Sequence, residues 1–86
     1  MKTETIKRIR KNNIECNLSV ENKKFEIGLS GNDILTNEDI LDYHFFNDSQ
    51  ELLFFLREIK FDRAINFYLF EFTEELIRVL YKNKLV

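Results

Sequence analysis

The side chains that most often carry catalysis are scarce in this 86-residue chain, which has one imidazole, His44, and one thiol, Cys16. A nucleophilic triad or a zinc centre needs several such groups converging, and none can be assembled from these two. Cys16 falls on the apolar side of an alternating segment and reads as a small core residue. His44, next to Asp42 and two phenylalanines, reads as structural or exposed and not as a general base. The adjacent acids Glu38-Asp39 and Glu74-Glu75 read as first-turn carboxylates favoured by a helix dipole. Two glycines leave no phosphate-cradling loop, and the spaced Asp/Asn pattern of a calcium loop is absent. The expectation is a non-enzymatic protein with no cofactor and no metal.

The distribution of charge is more informative than the net value of −2. Residues 1–24 carry seven cations and three acids, whereas residues 25–56 carry seven acids and no Lys or Arg. Residues 57–86 return to six cations and five acids. Local fields steer association, so Asp33, Glu38, Asp39, Asp42, Asp48 and Glu51 are candidates for a surface that meets a basic protein partner. The plainer alternative is a solvated region of caps and loops. Lys7, Arg8, Arg10 and Lys11 could contact phosphates. Against that, the pI is about 5.4, a footprint unlike that of most nucleic-acid binders. The strands also lack, on this reading, exposed aromatics for base stacking. Direct nucleic-acid binding is therefore not expected.

The elements that must position these residues can be read from periodicity. Thr3–Asn12 is predicted to be a short helix, with Thr3 as cap, Ile6 and Ile9 as a thin apolar face and Asn12-Asn13 as the stop. Ile14, Cys16, Leu18 and Val20 alternate with polar residues, as do Phe25, Ile27 and Leu29 after the polar stretch Glu21–Lys24. That pattern predicts a β-hairpin with one buried face. Gly28 and Gly31 are candidates for a bulge and a strand exit. Residues 32–48 carry two signals: Thr36–Asp39 resembles a helix start, while residues 41–46 alternate as a third strand would. A two-stranded sheet needs support, which favours a turn at 36–39 and a strand at about 41–46.

Asp48 and Glu51 form a capping pair for a helix over about Ser49–Lys60, with Leu52, Phe55, Leu56 and Ile59 facing the core. Residues 62–83 are predicted to be one helix bearing the stripe Phe61, Ile65, Tyr68, Leu69, Phe72, Leu76 and Val79. The alternative is a strand over 65–72 followed by a separate helix. The fold class expected is thus α+β in a single domain, residues 1–86: a short N-terminal helix, an antiparallel hairpin with an optional third strand, and two C-terminal helices on the sheet.

Aromatics make up 14% of the chain. On the single-helix reading Phe67, Phe70, Ile77 and Tyr81 project away from the main stripe. Such a helix is either enclosed or presents a patch, and Phe67, Phe70 and Tyr81 are then candidates for a partner anchor or a homodimer contact. No stretch is long and apolar enough for a membrane span, and the charged N-terminus does not suit a signal peptide. With a lone Cys, a cytoplasmic location is expected.

The order of a basic first segment (Lys2–Asn12), a hairpin (Ile14–Ser30), the cation-free stretch Phe25–Leu56 and aromatic-rich helices resembles that of the small phage-encoded anti-CRISPR proteins. These inhibit effector nucleases by occupying a nucleic-acid site with acidic side chains. The resemblance implies an inhibitor whose partner is a nucleic-acid-processing enzyme. Toxin-neutralising immunity proteins share the size and composition, and a small nucleic-acid-binding regulator using the first segment is the remaining alternative.

Overall fold

Two pairs of polar residues decide the first half of the fold. Asn12-Asn13 and Asn22-Lys23 have φ of 51°, 67°, 53° and 64°, the left-handed geometry of type I′ hairpin loops, which Asn adopts at low cost. They join β1 (Glu4–Lys11) to β2 (Ile14–Glu21) and β2 to β3 (Lys24–Asp33). A turn over residues 34–37 then leads to β4 (Glu38–Phe46). In the computed structural model, which describes residues 3–86, the strands pair antiparallel in the order β1-β2-β3-β4.

The first segment is therefore a strand and not the expected N-terminal helix; Lys2 of that segment lies outside the described residues. The spacing of Ile6 and Ile9 suits a helix, and would send them to opposite faces of a regular strand. A bulge between Thr5 and Lys7 inserts Ile6 as an extra residue. Ile6 then packs against the core and Ile9 is buried opposite Cys16. Asn12-Asn13 does take a left-handed conformation, but as a hairpin loop instead of a helix stop.

The hairpin is as the alternation predicts, with Ile14, Cys16, Leu18, Phe25, Ile27 and Leu29 buried on one face. Gly28 marks no bulge, since β2 and β3 pair in continuous register. Gly31 lies within β3 with φ 145°, beneath Asn13 and Ile14 of the preceding loop and strand. The third-strand signal is β4, which starts earlier than residue 41 because the turn ends at Asn37, itself left-handed with φ 61°.

α1 (Ser49–Phe61) starts where the Asp48/Glu51 pair predicts, with Asp48 Oδ1 accepting from the Glu51 N–H at 2.8 Å. It buries Leu52, Leu53, Leu56 and Ile59. The last segment is one helix, but shorter than expected: α2 spans Phe67–Lys82. Asp62 and Asn66 are both extended; Asp62 caps a short 3₁₀ turn (Arg63–Ile65) and Asn66 caps α2. Side-chain caps thus interrupt the helix without any Gly or Pro. The predicted stripe holds from Leu69 onward, through Phe72, Leu76 and Val79, whereas Phe61 and Ile65 are left exposed.

Both helices lie on the same face of the sheet, α1 over β3 and β4 and α2 over β1 and β2. The core between them includes fully buried Leu18, Ile27, Leu56, Leu69 and Leu80, each contributing roughly 1.5–3 kcal/mol. The fold class is α+β, with a four-stranded sheet leading into two helices. Among the described residues no helix is long and apolar enough to cross a membrane.

Candidate protein-binding edge

Among the described residues one face of the sheet carries no helix, and β4 dominates its chemistry. Ile40 and Phe46 point inward and are buried. Between them on the same side lie Asp42 and His44, the latter stacked at 5.0 Å on Phe55 of α1. Because side chains alternate along a strand, anchoring positions 40 and 46 inward sends 41, 43 and 45 outward. Leu41 and Phe45 are each 71% exposed and Tyr43 is 52% exposed. The expectation that the strands lack exposed aromatics therefore does not hold.

Tyr43 is paired with Gly28, and a Cβ at Gly28 would sit 3.0 Å from a Tyr43 ring carbon. The ring thus leans across β3 over the glycine, which is buried, while its other face meets solvent. Leu41 and Phe45 pair with Ser30 and Glu26, so the stripe ends at a polar border one strand in.

β4 is also an edge, and the two edges differ. β1 has the bulge and holds Lys7, Arg8, Arg10 and Lys11 against Glu4 alone. Lys7 pairs with Glu75 of α2 at 4.0 Å, and Lys11 donates to the Glu71 carbonyl. Cations and bulges are common devices for keeping an edge from pairing. β4 has neither: its nine residues hold Glu38, Asp39 and Asp42, no Lys, Arg or Pro, and pair with β3 without a register shift. The charge segregation along the chain thus becomes a sheet with one basic and one acidic edge, about 14 Å apart at normal strand spacing.

The six candidate acids follow β4 and its two ends without sharing one face. Asp33 closes the β3–β4 turn, accepting from the Leu35 and Thr36 N–H groups and from the Tyr68 hydroxyl at 2.7 Å. That hydroxyl holds the Asp33 carboxyl below the usual carboxylate range, and the same bond pushes the Tyr68 phenol up. Glu38 is exposed, as is Asp39, which accepts from Asn32 Nδ2 at 3.2 Å on the open face. Asp42 lies on the helix side, 2.8 Å from His44 Nε2, beside Asn66, the cap of α2. Asp48 is taken up by its cap, and Glu51 accepts from Asn47 at 3.5 Å. Among the described residues none of the six forms an ion pair with Lys or Arg.

Phe67, Phe70 and Tyr81 do not form a common patch. Phe67 and Tyr81 are exposed but stand almost four turns apart, about 21 Å along α2. Tyr81 accepts from Arg57 of α1, while Phe70 is half-buried against the core. Phe67 instead borders a groove of about 550 Å³ with Ile34, Leu35, Lys11 and Arg63. Cys16 is a core residue whose thiol burial, aided by the Glu75 carboxylate, pushes up to about 12.

The outward stripe of β4 is the feature that reading the residues by themselves passed over. The local pattern pointed the other way: Leu41, Tyr43 and Phe45 alternate with Asp42 and His44 as a buried set would, but the structure buries Ile40 and Phe46 of the opposite parity. No family model, curated protein or solved structure matches this chain.

Proposed function

We propose that the chain is a non-catalytic binding domain that covers a basic surface of another protein, with the open side of β4 as its contact. The observation that carries this reading is the stripe Leu41, Tyr43 and Phe45 on an edge strand bordered by unpaired carboxylates. Large apolar groups supply interface energy when desolvated, and complementary charge accelerates encounter. Asp39 on β4 and Glu26 beside Phe45 flank the stripe with negative charge. Blocking a nucleic-acid-processing enzyme, the role suggested by the resemblance to anti-CRISPR proteins, would use such a surface. Neutralising a toxin that acts on nucleic acid would use it equally.

A second reading has one observation in its favour. Tyr43 and Phe45 share the open sheet face with Arg8 and Arg10 of β1, as a single-strand-binding sheet would require. Arg8, however, is engaged with Asn17 at 2.9 Å and with Glu15 at 3.4 Å, and Glu26 and Asp39 flank the aromatics.

Affinity capture with the wild-type chain and with Asp39→Lys and Phe45→Ser variants tests the proposal. Asp39 is preferable to Asp42, whose reversal would also break the His44 contact. A basic protein retained by the wild type and lost with both variants is the expected outcome. Its association rate should fall with added salt. Retention of nucleic acid alone, or equal retention by all three chains, refutes it.

A further inference from the structure

We infer that β4 takes its partner by strand addition, pairing along its free edge with an extended basic segment of the bound protein. This deepens the reading above and rests on it, adding how the partner is held and what its sequence pattern must be. Among the described residues no element pairs with the outer side of β4, and no backbone bond outside the sheet involves Asp39–Phe46. An edge strand therefore presents a row of donors and acceptors on which a peptide can be templated. The opposite edge is bulged and cationic, so the same sheet is guarded on one side and open on the other.

Alternation along β4 dictates the occupant. On the open face a guest strand meets Leu41, Tyr43 and Phe45, which calls for β-branched or aromatic side chains at every second position. On the helix side it meets Glu38 and Asp42, which call for Lys or Arg at the positions between. His44 lies beside Asp42, and Asn66 beside both, so this side is polar between the buried Ile40 and Phe46. With nine residues in β4, the paired segment spans about 30 Å. Charge counts against a second copy paired β4 to β4, because full antiparallel pairing of Glu38–Phe46 would set Asp42 directly opposite the other copy's Asp42.

The test uses the intact chain and a blocked ten-residue peptide of alternating Lys and Val. Its companions are the same peptide N-methylated at every second amide, in both possible phases, and a Glu–Val peptide. Binding is read by calorimetry, and amide hydrogen exchange of residues 38–46 by NMR. The Lys–Val peptide should bind and slow exchange of the outward β4 amides at least tenfold. One N-methylated phase should lose binding at least tenfold while the other keeps it, and Leu41→Ser with Phe45→Ser should weaken the unmethylated peptide at least tenfold. Equal binding by both methylated phases overturns strand addition and leaves a basic-surface binder. No binding of the Lys–Val peptide at millimolar concentration also overturns strand addition, while the capture experiment still judges the basic-partner reading. Concentration-dependent protection of β4 in the free chain would mean self-pairing, and protection by a single-stranded oligonucleotide but not by the peptide would mean a nucleic-acid face. Either overturns both readings.

Discussion

Adjacent phenylalanines on β4 offer a sharp separation of folding from binding. Phe45 is 71% exposed and Phe46 only 7%, although they are neighbours in one strand. If a phenylalanine presents roughly 200 Å², Phe45 leaves about 140 Å² to be covered by a partner. At about 25 cal/mol/Å², that is at most ~3.5 kcal/mol of association energy. Side-chain ordering and imperfect desolvation reduce it, so Phe45→Ser should weaken binding by about 2 kcal/mol, roughly 30-fold. Its effect on folding should stay within about 0.5 kcal/mol, as for other exposed sites, and so within a few degrees in Tm. Phe46→Ala should instead cost about 3–5 kcal/mol of stability through the cavity it leaves. Calorimetric unfolding of both variants, with titration of the captured partner, reads the two quantities. An unchanged affinity for Phe45→Ser, or a loss of stability like that of Phe46→Ala, would show that the outward stripe is not a binding surface.

Further expectations concern the scaffold. Gly31→Ala places a Cβ onto the Asn13 carbonyl oxygen at φ 145°, so it should lower the urea midpoint by the equivalent of at least ~2 kcal/mol with an unchanged slope. Tyr68→Phe removes the hydroxyl that keeps the Asp33 carboxyl depressed. That carboxyl stabilises the fold above its unfolded pKa, and the gain is lost as pH falls through the lower folded value. The variant should therefore show a shallower acid limb in pH-dependent urea unfolding, and parallel wild-type and variant curves would contradict the assignment. Its alkaline limb should also flatten, because the raised Tyr68 phenol ionises first in the unfolded chain. With its thiol near 12, folded Cys16 should resist alkylation at pH 8, modification tracking global unfolding measured in parallel.

Much of the architecture can be read from the residues. The alternation of Ile14–Leu29 compels a hairpin, because only a half-buried sheet satisfies period two on both sides of a polar turn. Asp48 and Glu51 mark the start of α1, and the apolar spacing of 69–79 marks α2. Elsewhere local patterns conflicted with pairing. Ile6 and Ile9 have helical spacing, but eight residues with so little to bury gain more from β2's ladder, and a bulge absorbs the mismatch. The break at Asp62–Asn66 was hidden because it is made by side-chain caps in a segment free of Gly and Pro.

The candidate site divides the same way. Composition and order alone established that residues 25–56 carry no cation, that Cys16 and His44 are the chain's single thiol and single imidazole, and that aromatics make up 14% of the chain. Which of those aromatics face solvent was a tertiary decision. It followed from Ile40 and Phe46 being buried on the helix side, since a strand's parity, once anchored, leaves every intervening position no choice of side. Only the strand order put β1 and β4 at opposite edges, turning a charge pattern along the chain into a sheet with one guarded edge and one free to pair.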